Sequence, residues 1–521
     1  MATERIFPWL WLFMASCESS KWYGYLQSLP AATVDLALFW GTEQSRLLFD
    51  AAAIADGIEA SAWLQGTEVE KELRNSETGE YLLKEIDDYY DTVVLPLSEG
   101  LGLSTTIAGY YRAYSLVSSR AFLVDAYHGL AMVPIADAFD HANENHVHLE
   151  SDFDVCVVCG ALDECPHDSE TWDASPRGSS SSPMTSRLGL LSSEIAPSTS
   201  ADCPSRYDAD NTCDMVSNIP VIADTEVFNT YGERLSNASL LVRYGFMIEG
   251  NEWDSVAWTL EDVSSSLSGF DECPLLQATM GDNVSSDFIP SWSAILQRWE
   301  PRDTWTDSNL VFCSDFLGVS EMQDSHSSAG RKPLQSPAAG EGSSAGSRPH
   351  FEDLEKMLSL NEDGKISHQL WVFCALAVLN QREGRRRLDV LEKVDALTRL
   401  AVAQLDVETQ IFEDCDDMVS DSDDPDTEVR ASASVDRGPR HPREQSPSKE
   451  LLFQVGQTVE RVCAYRLSKM QRAANMSCSQ VAEALDDVPR CKPRTRLAMT
   501  QVINEMSLLE TCISLWKQVA P

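Results

Sequence analysis

The chain alternates between stretches patterned like helices and stretches with no apolar pattern at all. Ile6 to Ala15 is a nearly unbroken apolar run. Pro8 interrupts it and its flank carries only Arg5 against Glu4, so the expectation is a buried helix rather than a secretory leader. Between Glu68 and Tyr90, the apolar residues Val69, Leu73, Leu82, Leu83 and Ile86 recur among acidic ones, with a polar interval around Gly79. Residues 41–112 as a whole read as helices. Leu370 to Leu379 is apolar on every side, which predicts a buried helix, and residues 351–411 and 448–518 read as helical around it. A strand-like run reaches Met132-Val133, and Ile219 through Phe228 reads as a turn and a strand leading into Tyr231. Residues 251–317 are mixed and hold five tryptophans, Trp253, Trp258, Trp292, Trp299 and Trp305, which predicts a packed connection. No apolar run reaches the roughly 18 residues that span a membrane, so no membrane partner is expected.

Three stretches carry too few apolar residues to offset the entropy of ordering them. Residues 169–202 are rich in Ser and Pro, 320–350 in Ser, Gly and Pro, and 413–447 are acidic and then proline-rich. All three are expected to be disordered. The first interrupts a segment 113–250, the second is a linker, and the third interrupts a segment 351–521; residues 1–40, 41–112 and 251–319 make up the remaining segments.

Charge narrows the partners. Asp and Glu number 82 against 40 Lys and Arg, a formal charge of −42. Such a chain repels phosphate backbones, so nucleic acid is not expected; a basic protein segment would be attracted. Fourteen cysteines without a regular framework read as reduced intracellular thiols, in the nucleus or cytoplasm. The sequon Asn237-Ala238-Ser239 is then a helix start rather than a glycan site. Cys156, Cys159, Cys165 and His167 form C-x2-C-x5-C-x-H, three thiolates and an imidazole in twelve residues, with Gly160 suited to the turn after the first pair. That donor set predicts tetrahedral zinc, against a reduced surface loop as the plain alternative. His146 and His148, two apart on one strand face, are expected to be exposed polar residues. Asn361-Glu362-Asp363-Gly364-Lys365 opens like a calcium loop, but the later ligands do not follow, so calcium is rejected. No G-x-S-x-G elbow and no G-x-x-x-x-G-K-[ST] loop occurs, which removes α/β-hydrolase and P-loop chemistry.

Two separated stretches carry the strongest signal. The first runs from Ser119-Arg120-Ala121-Phe122 to Pro134-Ile135-Ala136-Asp137-Ala138-Phe139-Asp140-His141. The second runs from Asn229-Thr230-Tyr231-Gly232 to Tyr244-Gly245-Phe246, its two Tyr-Gly pairs thirteen residues apart. In this order they resemble the two signature halves of the SET-domain protein lysine methyltransferases of the Rubisco large-subunit methyltransferase type. The segment Trp22, Tyr25-Leu26, Leu29-Pro30 is similar to another of that family's stretches. Asp140 departs from the family's Asn.

The resemblance implies an α+β fold: a mostly β SET core split by a helical insertion at 41–112, with a helical C-terminal lobe over 351–521 that holds substrate. Residues 1–40 would be a remnant of the SET N-terminal part. It also implies S-adenosylmethionine as cofactor and a lysine of a histone or non-histone protein as acceptor. Tyr231 would be the catalytic tyrosine. Asp140, His141 and Arg120 would contact the cofactor, and Asp137, Tyr244 and Phe246 would line the lysine channel. Arg120 and Asp137 could equally be a structural ion pair. Asp140 keeps an acceptor for the cofactor ammonium but loses an amide donor. A second reading stays open: an impaired SET-like protein that binds other proteins, since no G-x-G element for the cofactor occurs in the first hundred residues.

Overall fold

The structure, a computed structural model, describes residues 22–76, 78–150, 155–156, 160–161, 165, 213–267, 288–296, 298–299, 305, 308–312, 358–383, 388–419 and 447–519. The apolar run Ile6–Ala15, the stretches 169–202 and 320–350, and Cys159 and His167 lie outside these residues. The chain divides into two units: residues 1–34 with 90–233, and residues 35–89 with 234–521.

In the first unit, the short helix Tyr23–Ser28 is anchored by Leu26, and Leu29 beyond it is also buried. The helix Ile107–Ser118 starts where the Thr106 hydroxyl accepts from Gly109 N, and it buries Tyr110, Tyr111, Leu116 and Val117. It leads into β1 (Ala121–Asp125), which pairs antiparallel with β2 (Gly129–Met132). The Asp125 carboxylate accepts from Tyr127 N at 2.9 Å and so closes the turn between them. β3 (Asp140–His141) runs parallel to β6 (Phe228–Asn229), and β4 (Val147–Glu150) runs antiparallel to β5 (Asp214–Ser217). Val124, Ala136 and Leu149 form a small core against Phe122, Val133 and Met215.

The chain is mixed helix and strand, as expected, but the β part is smaller than a mostly β core. Among the described residues this unit has three two-stranded sheets. Pro134 and the 3₁₀ turn Ala136–Ala138 interrupt pairing between β2 and β3, because proline has no donor for a ladder.

The second unit holds a four-stranded sheet in the order β7 (Val256–Ala257), β9 (Ser359–Leu360), β10 (Ile366–Ser367), β8 (Val311–Phe312). The stretch read as helical from residue 351 thus includes a hairpin. Its turn is the calcium-like segment: Asn361 Oδ1 accepts from Lys365 N at 2.9 Å and Gly364 sits at φ +75°. The helices His368–Glu383, Val390–Val419, Pro447–Lys469, Cys478–Asp486 and Pro493–Val519 follow. Helix therefore includes residues 413–419, which the sequence places in a disordered loop.

The all-apolar segment is buried as expected. Trp371 stacks on Trp299 at 5.4 Å and meets Trp305 edge-on at 5.0 Å. Trp258 and Trp292 are buried too, so four of the five expected tryptophans belong to this core. The helix Ala51–Leu64 packs here as well. Its buried Asp56 accepts from Arg494 N at 3.0 Å and Thr495 N at 3.1 Å, capping the C-terminal helix from outside.

One charged cluster is wholly inside the second unit. Glu68 Oε1 accepts from Arg466 Nη2 at 2.7 Å, Lys71 Nζ at 2.9 Å and Ala257 N at 3.0 Å. Glu505 Oε1 accepts from Glu68 N at 2.8 Å and Gln501 Nε2 at 2.9 Å, while its Oε2 lies 3.5 Å from Arg466 Nη2. Burial would raise Glu68, but Lys71, Arg466 and the Ala257 N–H outweigh it and hold the carboxyl low. Glu505 goes the other way. Burial pushes it up to about 7, with Arg466 opposing and the Glu68 charge adding to the rise.

Candidate active site

The parallel pair β3–β6 joins the two signature halves. Asp140 stands opposite Phe228 and His141 opposite Asn229. Beyond the pair, Ala142 N donates to Asn229 O at 3.0 Å and His146 N to Phe228 O at 2.8 Å, so the two segments stay in register past the strands. This register sets Tyr231 beside His141. Tyr231 N donates to His141 Nδ1 at 3.1 Å and the two rings stack at 5.3 Å. An Nδ1 that accepts assigns the ring proton to Nε2. Burial lowers the His141 pKa, with Asn143 and Asn229 opposing, which favours the neutral imidazole. The Tyr231 hydroxyl donates to Phe139 O at 3.1 Å.

Asp137 sits in the 3₁₀ turn just before β3. Ile135, the residue leading into that turn, adopts φ +76°, unusual for a β-branched side chain and a sign of local strain. The Asp137 carboxylate accepts from the Tyr25 hydroxyl at 2.6 Å. Burial raises the Tyr25 pKa well above the ordinary range; Asp137 adds to the rise and the Arg120 charge opposes it. Arg120 itself donates from Nη1 to Ser119 Oγ at 2.8 Å. Among the described ion pairs none joins Arg120 to Asp137. Asp140 is exposed, whereas His141, Arg120 and Asp137 are half-buried.

The first unit therefore brings together Tyr231, His141 and Asp140 at β3–β6, and Asp137 with Tyr25 at the turn before it. Tyr244 and Phe246 belong to the second unit. There Tyr244 follows the helix Asn237–Arg243, burial raising its pKa with Arg243 opposing, and its ring lies 6.2 Å from that of Phe246. Gly245 between them is at φ +82°, and a Cβ there would stand 2.4 Å from the Asp35 carbonyl oxygen. The turn that separates the two aromatic rings thus requires glycine. Asn237 is fully buried, its amide bonded to Ile248 O at 2.9 Å and Asp254 Oδ2 at 2.8 Å, which fits a helix start and leaves no room for a glycan.

Sequence reasoning did not single out three of the groups around the site: Tyr25, Phe139 and Asn229. Asn229 is 1 % exposed, and its Nδ2 has no hydrogen-bond partner among the described residues. An orphaned donor beside His141 fits a bound group with acceptor atoms, as S-adenosylmethionine has. Its place in the Asn229-Thr230-Tyr231-Gly232 stretch was the signal that could have found it. His146 and His148, expected to be exposed, are half-buried. His146 Nδ1 accepts from Phe228 N at 3.1 Å and His148 bonds to Asn218.

At the cysteine loop the described residues form a tight turn. Gly160 N donates to Cys156 O at 2.7 Å, Cys156 N donates to Ala161 O at 2.8 Å, and Gly160 sits at φ +71°. Among the described residues no group of three or more His, Cys, Asp or Glu could hold a metal, and two of the four expected ligands lie outside them. Among the described residues, no helix is long and apolar enough to cross a membrane.

No protein-family model matches the chain. By sequence the chain is similar to ribosomal lysine N-methyltransferase 3 of Saccharomyces cerevisiae. The two are 29% identical over 276 residues, covering 46% of this chain and 48% of the relative. The chain thus spans about half the length of that curated relative. Among solved structures, the SET domain of LSMT bound to lysine and AdoHcy aligns with a TM-score of 0.45 at 12% identity, covering 98% of this chain and 74% of the other. Rubisco LSMT bound to AdoMet aligns at 0.43 and 12%, covering 98% and 75%. The sequence similarity agrees with the family that the signature residues resemble.

Proposed function

We propose that the chain is a SET-type protein-lysine N-methyltransferase that uses S-adenosylmethionine. One observation carries the reading: a parallel two-residue pair holds Tyr231 against His141, with the tyrosine hydroxyl bonded to the Phe139 carbonyl. When bound, S-adenosylmethionine would supply a sulfonium-borne methyl group for a lysine nitrogen that has given up its proton to water, with S-adenosylhomocysteine as the leaving group. The protein's part is alignment and an oxygen-rich wall around the transferring methyl. Because the Tyr231 hydroxyl donates to Phe139 O, its oxygen acts as an acceptor towards the amine and the methyl. His141 and Asn229 support that tyrosine's segment, and Asn229 Nδ2 offers a donor to the cofactor. Arg120 and Asp140 would hold the cofactor's charged end. Asp137 would line the lysine channel.

The acceptor we propose is a lysine in a basic ribosomal protein. The yeast relative's name supports this class, and the −42 formal charge favours a basic partner. A histone is the other basic acceptor. The exposed carboxylate of Asp140, where the family has Asn, keeps a second reading in view: a SET-like chain with weakened cofactor binding that acts by binding proteins. Zinc at Cys156, Cys159, Cys165 and His167 is proposed on the chemistry of the four donors, with the turn at Gly160 in support. Calorimetric titration with S-adenosylmethionine, followed by transfer of tritiated methyl to purified yeast ribosomal proteins, tests the main reading. One-to-one binding with label in a lysine supports it. Binding to those proteins with neither cofactor binding nor label supports the second reading.

A further inference from the structure

We propose that Tyr25 is a positioning residue of the methyl-transfer site, acting through Asp137; the inference rests on the methyltransferase reading above. The two residues are 112 positions apart, and the bond between them is a short 2.6 Å contact from the phenol to Asp137 Oδ2. Both ends are built to hold it. On one side, the buried Leu26 and Leu29 pin the helix Tyr23–Ser28, and the Ser28 hydroxyl donates back to Tyr25 O at 2.7 Å. On the other, Asp137 N donates to Val133 O at 3.2 Å, so the turn fixes the aspartate backbone and leaves its carboxylate to be oriented.

The chemistry calls for such an orientation. A substrate lysine arrives largely as an ammonium, its ordinary pKa being about 10.4, and must be steered before it loses its proton. A carboxylate that can swing either pairs with the nearest cation or adopts a rotamer turned from the channel. Here the nearby cation is Arg120, close enough for its charge to act on Tyr25. The tyrosine donor occupies one carboxylate oxygen, holds the group away from a direct Arg120 pair, and leaves Oδ1 as the acceptor for the incoming ammonium. Burial and Asp137 keep the phenol protonated far above neutral pH, so the donor persists wherever the enzyme works. Tyr25 touches neither the methyl nor the amine. Its effect reaches the reaction only through Asp137.

The test is a cycle of Tyr25→Phe, Asp137→Asn and the double variant in the full chain. Tritiated S-adenosylmethionine is the methyl donor and purified yeast ribosomal proteins are the acceptor, with cofactor affinity and unfolding midpoint measured alongside. Tyr25→Phe should lower kcat about tenfold while cofactor affinity stays within twofold and the midpoint holds. The double variant should be no slower than Asp137→Asn alone, because the phenol has nothing left to orient. Tyr25→Phe within twofold of the wild type, or losses that multiply in the double variant, would overturn the proposal alone. A wild-type chain that transfers no methyl fails earlier, at the methyltransferase reading, and takes the proposal with it.

Discussion

Glu505 is 2 % exposed and shares Arg466 with Glu68, two carboxylates for one buried guanidinium. Its carboxyl is raised from an ordinary 4.5 to about 7, chiefly by burial. The linkage has a definite sign. Between those two values the unfolded chain has released the proton and the folded chain still holds it, so this group stabilises fully below pH 4.5 and loses its contribution as pH rises through 7. At about 1.4 kcal/mol per tenfold change in proton affinity, the whole interval corresponds to about 3 kcal/mol. Glu505→Gln removes the titration in both states and keeps an oxygen that can accept from Glu68 N and Gln501 Nε2. Any packing or polarity penalty from the amide near Arg466 is constant with pH. The stability of the variant minus that of the wild type should therefore move in the variant's favour as pH rises, by about 2 kcal/mol between pH 5.5 and 8. Urea unfolding followed by tryptophan fluorescence reads this directly, since the core of this unit is rich in buried tryptophan. A difference flat to within about 0.5 kcal/mol over that range would refute the raised carboxyl.

Four further outcomes are expected. Tyr231→Phe should lower kcat for methyl transfer about hundredfold with cofactor affinity little changed, and a variant retaining most of its rate would remove Tyr231 from the chemistry. Asp140→Asn should tighten S-adenosylmethionine binding about tenfold by restoring an amide donor; unchanged calorimetric affinity would show that the carboxylate is no obstacle. Gly245→Ala should destabilise the second unit by about 2–4 kcal/mol in urea unfolding, because the left-handed backbone and the Asp35 carbonyl both reject a Cβ. Purified protein should carry stoichiometric zinc and Cys156→Ser with Cys159→Ser should release it; metal content indifferent to that pair would end the zinc assignment.

Local pattern was legible where a residue's role depends on its neighbours in sequence. Leu370–Leu379 announces burial by itself, and the two Tyr-Gly pairs mark their turns by composition. The interval Glu68–Tyr90 was legible only in part. Its apolar spacing runs through, but the structure has two helices, Glu68–Glu72 and Leu82–Tyr89. Between them Asn75 accepts from Thr78 N at 3.2 Å and Gly79 turns left-handed at φ +69°, so the polar interval is a built reversal rather than a weak helix. At the candidate site, motif order pointed to Tyr231 and His141 but not to what holds them. The Tyr25–Asp137 bond spans 112 residues and the Arg466–Glu68 bond 398, and neither leaves a periodic trace. Long-range polar partners follow from topology, and topology is what a single sequence expresses least.

The hairpin β4–β5 has a use beyond holding register. Glu150 and Asp214 face each other across it, so the chain leaves and returns at adjacent points whatever lies between residues 151 and 213. Closing such an excursion depends only weakly on its length, a doubling adding about 0.6 kcal/mol. The stretch 169–202 is therefore a place where chain can be deleted, replaced by a reporter domain, or opened to make new termini, with the parallel β3–β6 pair left closed. Added length at this position costs little, while a one-residue slip in the two-residue pair would carry Tyr231 away from His141.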